Sequence, residues 1–168
     1  MDPFVMLKAD HREVEALFAK LDDTTERGVK ARTELFQKLH HDLLTHMLVE
    51  EIVLYPALKE VKPARALAFE GVEEHNVVKF LLEALAGLPV DAEEWTAKLA
   101  VLRENVEHHV KEEERDLFPQ AMKELSAEQK VVLAEHLETE KRRILAVMEW
   151  EPMIVLPVSG EPGPLGVR

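Results

Sequence analysis

The sequence predicts an all-α fold: an antiparallel up-down-up-down four-helix bundle with an additional C-terminal helix and an extended tail. Three observations lead there. Apolar residues recur at a helical period through most of the chain, no convincing run of alternating β-branched residues interrupts them, and four amphipathic segments follow one another through short connections. At 168 residues the chain suffices for one domain with a real hydrophobic core.

Asp2 and Pro3 read as an N-cap and a first helical position, and Leu7, Val14, Phe18 and Leu21 carry the apolar face of a first helix over about 3–21. The polar stretch 22–28 ends at Gly28. Phe36, Leu39, Leu43, Met47 and Leu54 then restore the period through a longer helix over about 29–60, for which Pro56 predicts a kink. Pro63 opens a third helix over about 63–86, ended by Gly87 and Pro89. Asp91 stands as a capping carboxylate before the acidic first turn of a fourth helix over about 92–124. Ser126 and Gln129 match the capping box, and Val132, Leu133, Leu137, Ile144, Leu145 and Met148 line a fifth helix ending near Trp150. From Pro152 onward, Pro157, Pro162 and Pro164 alternate with Gly160, Gly163 and Gly166, which bars a regular helix or ladder. The expected organisation is a domain over 1–150 and a Pro/Gly-rich tail over 151–168.

Composition narrows the function. With 33 acidic against 21 basic residues the net charge is −12, so the surface repels phosphate backbones and anionic membranes. The chain has no cysteine, which excludes thiolate metal sites, Fe–S clusters and disulfides. The N-terminus lacks the features of a leader, and no apolar run approaches the ~18 residues of a membrane span. These features predict a cytoplasmic protein with neither nucleic acid nor membrane as partner.

The chemistry lies in an internal repeat. His46 to Pro56 and His109 to Pro119 both read His, three residues, Glu-Glu, two residues, Leu, aromatic, Pro, and they lie 63 positions apart. Asp10-His11 and Glu74-His75 repeat at 64. A duplicated helical hairpin in a four-helix bundle places equivalent residues around an approximate two-fold axis. The register puts His11, His46, Glu50, His75, His109 and Glu113 on the apolar seams of the four helices. A carboxylate buried alone costs several kcal/mol, so a core holding two of them needs positive charge, and no Lys or Arg occupies those seam positions. His and Glu at i and i+4 lie about 5–6 Å apart on one face and can converge on a common centre. Two metal ions satisfy all six residues, each taking two imidazoles and sharing the carboxylates, with positions left for oxide, hydroxide or a small substrate. Imidazole with carboxylate suits iron and tolerates manganese or zinc. His40, His41, His108 and His136, with Glu51, Glu112 and Glu114, read as boundary or solvated positions. Tyr55 lies opposite His46 on an ideal helix, so it packs in the core unless distortion at Pro56 turns its phenol toward the metals.

His11, His46-x3-Glu50, His75 and His109-x3-Glu113, with their Glu-Glu and Tyr/Phe-Pro flanks, resemble the hemerythrin-like HHE cation-binding domain over roughly residues 1–148. The resemblance implies a four-helix bundle around a non-haem di-iron centre, two iron ions with an oxo or hydroxo bridge, handling O2, peroxide or nitric oxide. Two departures separate the chain from the animal oxygen carriers. Lys79 stands where their third helix supplies a second imidazole, and Glu113 replaces the Asp of their fourth. The function expected is binding, sensing or reaction with a small oxidant. Peroxide decomposition at the same centre is the first alternative. A ferritin-like oxidase or iron store is the second, although that class favours Glu-x2-His over His-x3-Glu.

Overall fold

The computed structural model describes residues 2–148, and the expected helix end near Trp150 and the tail from 151 lie outside that range. The described chain is helical throughout its regular elements: α1 (Val5–Asp22), α2 (Val29–Val49), a π-helical turn π1 (Glu50–Leu54), α3 (Tyr55–Lys59), α4 (Arg65–Ala86), α5 (Glu93–Glu112), a second π-helical turn π2 (Glu113–Leu117), α6 (Phe118–Glu124) and α7 (Ala127–Val147). The four predicted long helices correspond to α1, α2 through α3, α4, and α5 through α6. They pack as two hairpins, α1 on α2 and α4 on α5, and α7 lies along α2 and π1.

The first helix starts two residues later than its proline suggests, because the Asp2 carboxylate accepts from the Phe4 backbone N–H at 2.9 Å and holds residues 3 and 4 in a turn. Ala92 rather than Asp91 occupies the cap of α5. The capping box ahead of α7 forms as its sequence requires, Gln129 N–H donating to Ser126 Oγ at 3.2 Å and Ser126 N–H to Gln129 Oε1 at 2.8 Å.

The kink expected at Pro56 takes a more specific form. Proline has no N–H to donate and its ring crowds the carbonyl one turn back. In both copies of the repeat the turn before the proline widens: the Tyr55 N–H bonds to the Glu50 carbonyl, and the Phe118 N–H to the Glu113 carbonyl. The extra residue changes the register by about 100°, the angle per residue of an α-helix. Tyr55 and Phe118 therefore come round to the bundle interior, where both are buried.

Two apolar clusters fill the bundle. One gathers Val14, Phe18, Phe36, Leu39, Leu82, Trp95 and Leu102 with their neighbours. The other gathers Phe4, Leu7, Leu54, Tyr55, Leu58, Phe118 and Ala121, covered by Leu133, Leu137 and Ile144 of α7. Beyond Trp95, the buried Arg32 donates to Thr24 Oγ1, the Val90 carbonyl and Thr96 Oγ1, tying two inter-helix connections together. Between the clusters runs a layer of buried imidazoles and carboxylates.

Tyr55 fits because α4 carries Gly71 beside it. A Cβ at position 71 would meet Tyr55 Oη at 2.7 Å and Cζ at 2.9 Å, and the ring is fully enclosed. At the repeat-equivalent position of α1 stands Leu7, packed in the same cluster as Phe118, which lacks the hydroxyl. Gly71→Ala should therefore destabilise the protein by about 1–3 kcal/mol despite the better helix propensity of alanine. Adding Tyr55→Phe should recover part of the loss, as read from denaturant midpoints of the single and double variants.

Candidate metal centre

The six seam residues converge. His11 comes from α1, His46 from α2, His75 from α4 and His109 from α5, while Glu50 and Glu113 each begin a π-helical turn. All six are at most 5% exposed. His11 Nε2 lies 3.1 Å from His46 Nε2, and His75 Nε2 lies 3.1 Å from His109 Nε2. Glu50 stands between the pairs, one oxygen 3.2 Å from His46 Nε2 and the other 3.2 Å from His75 Nε2. Glu113 Oε2 lies 3.4 Å from His11 Nε2 and 3.7 Å from His109 Nε2. The arrangement comprises two half-sites, each with two imidazoles, joined by two carboxylates.

The donor set fits cations. Neither Glu50 oxygen nor Glu113 Oε2 receives a hydrogen bond, although all three atoms are buried. Such orphaned acceptors are costly unless a cation lies among them. Two pairs of imidazole nitrogens face each other, and each lone pair needs a proton or a metal between it and its neighbour. The pull of the carboxylates on positive charge is strong. Burial disfavours the charged form of His46, but Glu50 and Asp10 outweigh it and raise the group to about 10. Burial is likewise overcome at His109 by Glu113 and Glu74, raising it to about 8. Glu50 is held well below the usual carboxylate range, burial being overcome chiefly by His46.

A second ring of carboxylates orients the imidazoles. His11 Nδ1 lies 2.8 Å from Glu114 Oε1, His75 Nδ1 2.9 Å from Glu51 Oε1 and His109 Nδ1 2.7 Å from Glu74 Oε2, with His46 Nδ1 3.5 Å from Asp10 Oδ2. A carboxylate on Nδ1 leaves Nε2 as the free donor atom and fixes the ring plane. Glu51 and Glu114, expected on a solvated face, are thus corrected to orienting positions. Each directly follows a central carboxylate and, from the edge of its own helix, reaches a histidine of the opposite hairpin. Asp10 and Glu74 were visible as members of the repeat without an assigned role. All four carboxylates sit below their ordinary values: partial burial opposes ionisation, and the imidazole contacts outweigh it, joined by Lys141, Lys79 and Arg12 at Asp10, Glu51 and Glu114.

Lys79 does not project into the core space that an imidazole four residues beyond His75 would share. Its ammonium donates to both Glu51 oxygens, at 2.6 and 2.7 Å, and so braces the carboxylate that holds His75. Tyr55 turns inward. Its hydroxyl donates to Glu113 Oε1 at 2.9 Å and lies 3.2 Å from His75 Nε2, and burial together with Glu113 and Glu50 keeps the phenol protonated. On the other half-site Phe118 lies parallel to His11, ring centres 6.1 Å apart. A cavity of about 10 Å³ adjoins the four imidazoles, walled by Val14, Leu43, Met47, Val78, Val106 and Val110. His40, His41 and His136 lie outside the cluster.

Comparison with known proteins agrees with this architecture. The chain matches the hemerythrin HHE cation-binding domain model over residues 2–121. It is 29% identical over 139 residues to a DNA nickase of Nostoc sp. (strain PCC 7120), covering 83% of this chain and 39% of that protein. It is 24% identical over 135 residues to an uncharacterized hemerythrin-like protein of Schizosaccharomyces pombe, covering 79% of this chain and 66% of that one. The chain therefore spans less than two thirds of either relative. No solved structure matches. Among the described residues no helix is long and apolar enough to cross a membrane. With buried His/Glu groups able to hold metal in a helical bundle, and a family model matched over most of its length, the chain belongs to the hemerythrin HHE cation-binding family.

Proposed function

We propose that the protein is a non-haem di-iron protein that binds and reacts with a small oxidant, O2, peroxide or nitric oxide. The observation that carries this reading is the pair of two-imidazole half-sites joined by buried carboxylates whose oxygens lack donors. His11 and His46 would hold one ion, His75 and His109 the other, and Glu50 and Glu113 would be shared. Iron held there would supply a redox-active centre able to exchange electrons with the oxidant. The apolar cavity of about 10 Å³ has room for about one water-sized molecule, which favours a diatomic or peroxide over larger substrates. The net charge of −12 gives no support to nucleic acid as partner, and the nickase activity is a property stated for the Nostoc protein. A peroxide-decomposing enzyme is the second reading. It is favoured by the Tyr55 hydroxyl, a proton donor held on Glu113 beside His75.

Protein reconstituted with ferrous iron in air should carry about two irons per chain. His75→Ala and Glu113→Ala should lower that number in elemental analysis, while His136→Ala should not. Equal losses in all three would indicate packing damage rather than ligation. Metal taken up by folded protein alone stabilises it, so removing iron should lower the melting temperature measured by calorimetry.

Glu51→Gln and Glu114→Gln keep the shape but weaken the hydrogen bond to the imidazole, and each should reduce iron affinity about 10–100-fold in competition with a chelator. Steady oxygen evolution from peroxide by the iron-loaded protein would establish the enzymatic reading. Oxidant binding with no turnover would favour a carrier or sensor.

A further inference from the structure

The four orienting carboxylates are not alike on their outer sides. Asp10 pairs with Lys141 of α7, Glu51 with Lys79, and Glu114 with Arg12. Glu74 has no lysine or arginine partner among the described residues. Its Oε1 instead faces the exposed His108, whose Nε2 lies 3.5 Å away. Glu112, one helical turn along α5, places a carboxylate oxygen 3.6 Å from the same nitrogen. One ligand atom from each of Glu74, His108 and Glu112 lies within 4.8 Å of the other two.

The duplication shows what the other half does at this place. The counterparts of Glu74, His108 and Glu112 are Asp10, Thr45 and Val49. Thr45 and Val49 are buried, the Thr45 hydroxyl turns toward Met148 Sδ, and Lys141 brings its ammonium to Asp10. On that side α7 covers the hairpin and supplies a permanent cation. On the α4–α5 side the side chains remain partly open, His108 at 63% exposed, and an imidazole and a second carboxylate stand where the cation is absent.

We propose that Glu74, His108 and Glu112 form an outer binding site for a divalent transition-metal ion of the zinc class, separate from the buried centre. Imidazole with two carboxylates is a donor set for such ions, and His and Glu at i and i+4 are already aligned on one helical face. The ion completes for Glu74 the charge pattern that Lys141, Lys79 and Arg12 complete for its three counterparts. Because the other Glu74 oxygen holds His109 Nδ1 at 2.7 Å, a single carboxylate links the outer site to the buried one. The inference rests on the comparison of the two halves, whatever the buried residues bind.

The test compares zinc bound by the full chain and by His108→Ala, using equilibrium dialysis against micromolar zinc chloride with elemental analysis. His108→Ala should bind one zinc equivalent fewer than the unmodified protein, a difference independent of what the buried residues take up. Glu112→Lys, which supplies the ammonium found in the other half, should lose the same equivalent. Glu104→Gln, at an exposed position elsewhere on α5, should lose none. Circular dichroism should show all three variants folded, as expected for exposed or partly exposed positions. Equal zinc uptake by the unmodified protein, His108→Ala and Glu112→Lys would overturn the site and leave His108 itself as the partner of Glu74.

Discussion

The burial of two carboxylates, Glu50 and Glu113, at the centre of a helical bundle is the constraint on which the rest of this structure depends. Each is almost without solvent contact, and a carboxylate in that position is several kcal/mol unfavourable unless positive charge lies against it. The molecule answers in layers. Imidazoles surround the carboxylates, a further four carboxylates surround the imidazoles, and Lys141, Lys79 and Arg12 surround three of those. Carboxylates and nitrogen groups alternate from the middle of the bundle to its surface. Each layer is fixed by the hydrogen-bonding needs of the one inside it, which is how a polar centre persists between two apolar clusters without loosening the packing.

The prolines convert this scheme into geometry. In an uninterrupted α-helix, Tyr55 and Phe118 would lie on the far side of their helices. The widened turn ahead of Pro56 and Pro119 brings both rings inward, just after the central and orienting carboxylates. One sequence feature therefore presents a central carboxylate, an orienting carboxylate and an aromatic ring from seven consecutive residues, and the chain uses it twice.

The helices and the six inner residues were legible because each carries a strong local signal and the duplication supplies a second copy against which to check the register. His46 and His109 agree on which face is buried, and an isolated histidine on an apolar face would not have sufficed. Glu51 and Glu114 were misread because their roles depend on partners from the other hairpin, which no pattern along their own helix announces. Arg32 was missed for a related reason: its acceptors come from two connections far apart in sequence, and no periodicity announces them. The onset of α1 was misplaced because Asp2 captures the Phe4 N–H before the helix begins. Tyr55 reads from the sequence as a packed ring unless Pro56 turns it inward, and the structure both encloses the ring beside Gly71 and brings the hydroxyl to Glu113.

The two hairpins also exchange groups. Glu114 of the second orients His11 of the first, and Glu51 of the first orients His75 of the second. Glu50 and Glu113 likewise each stand close to an imidazole of both halves. Neither hairpin could have carried this centre as an independent module. Two separate copies of an ancestral hairpin would have had to associate as a pair, each lending the other half of its polar interior. Joining them in one chain makes that association intramolecular and lets the copies differ: one carries Tyr55 beside Gly71 and the other Phe118 beside Leu7. A symmetric dimer of identical hairpins is compelled to place the same ring on both sides of its axis, and the fused chain is free of that restriction.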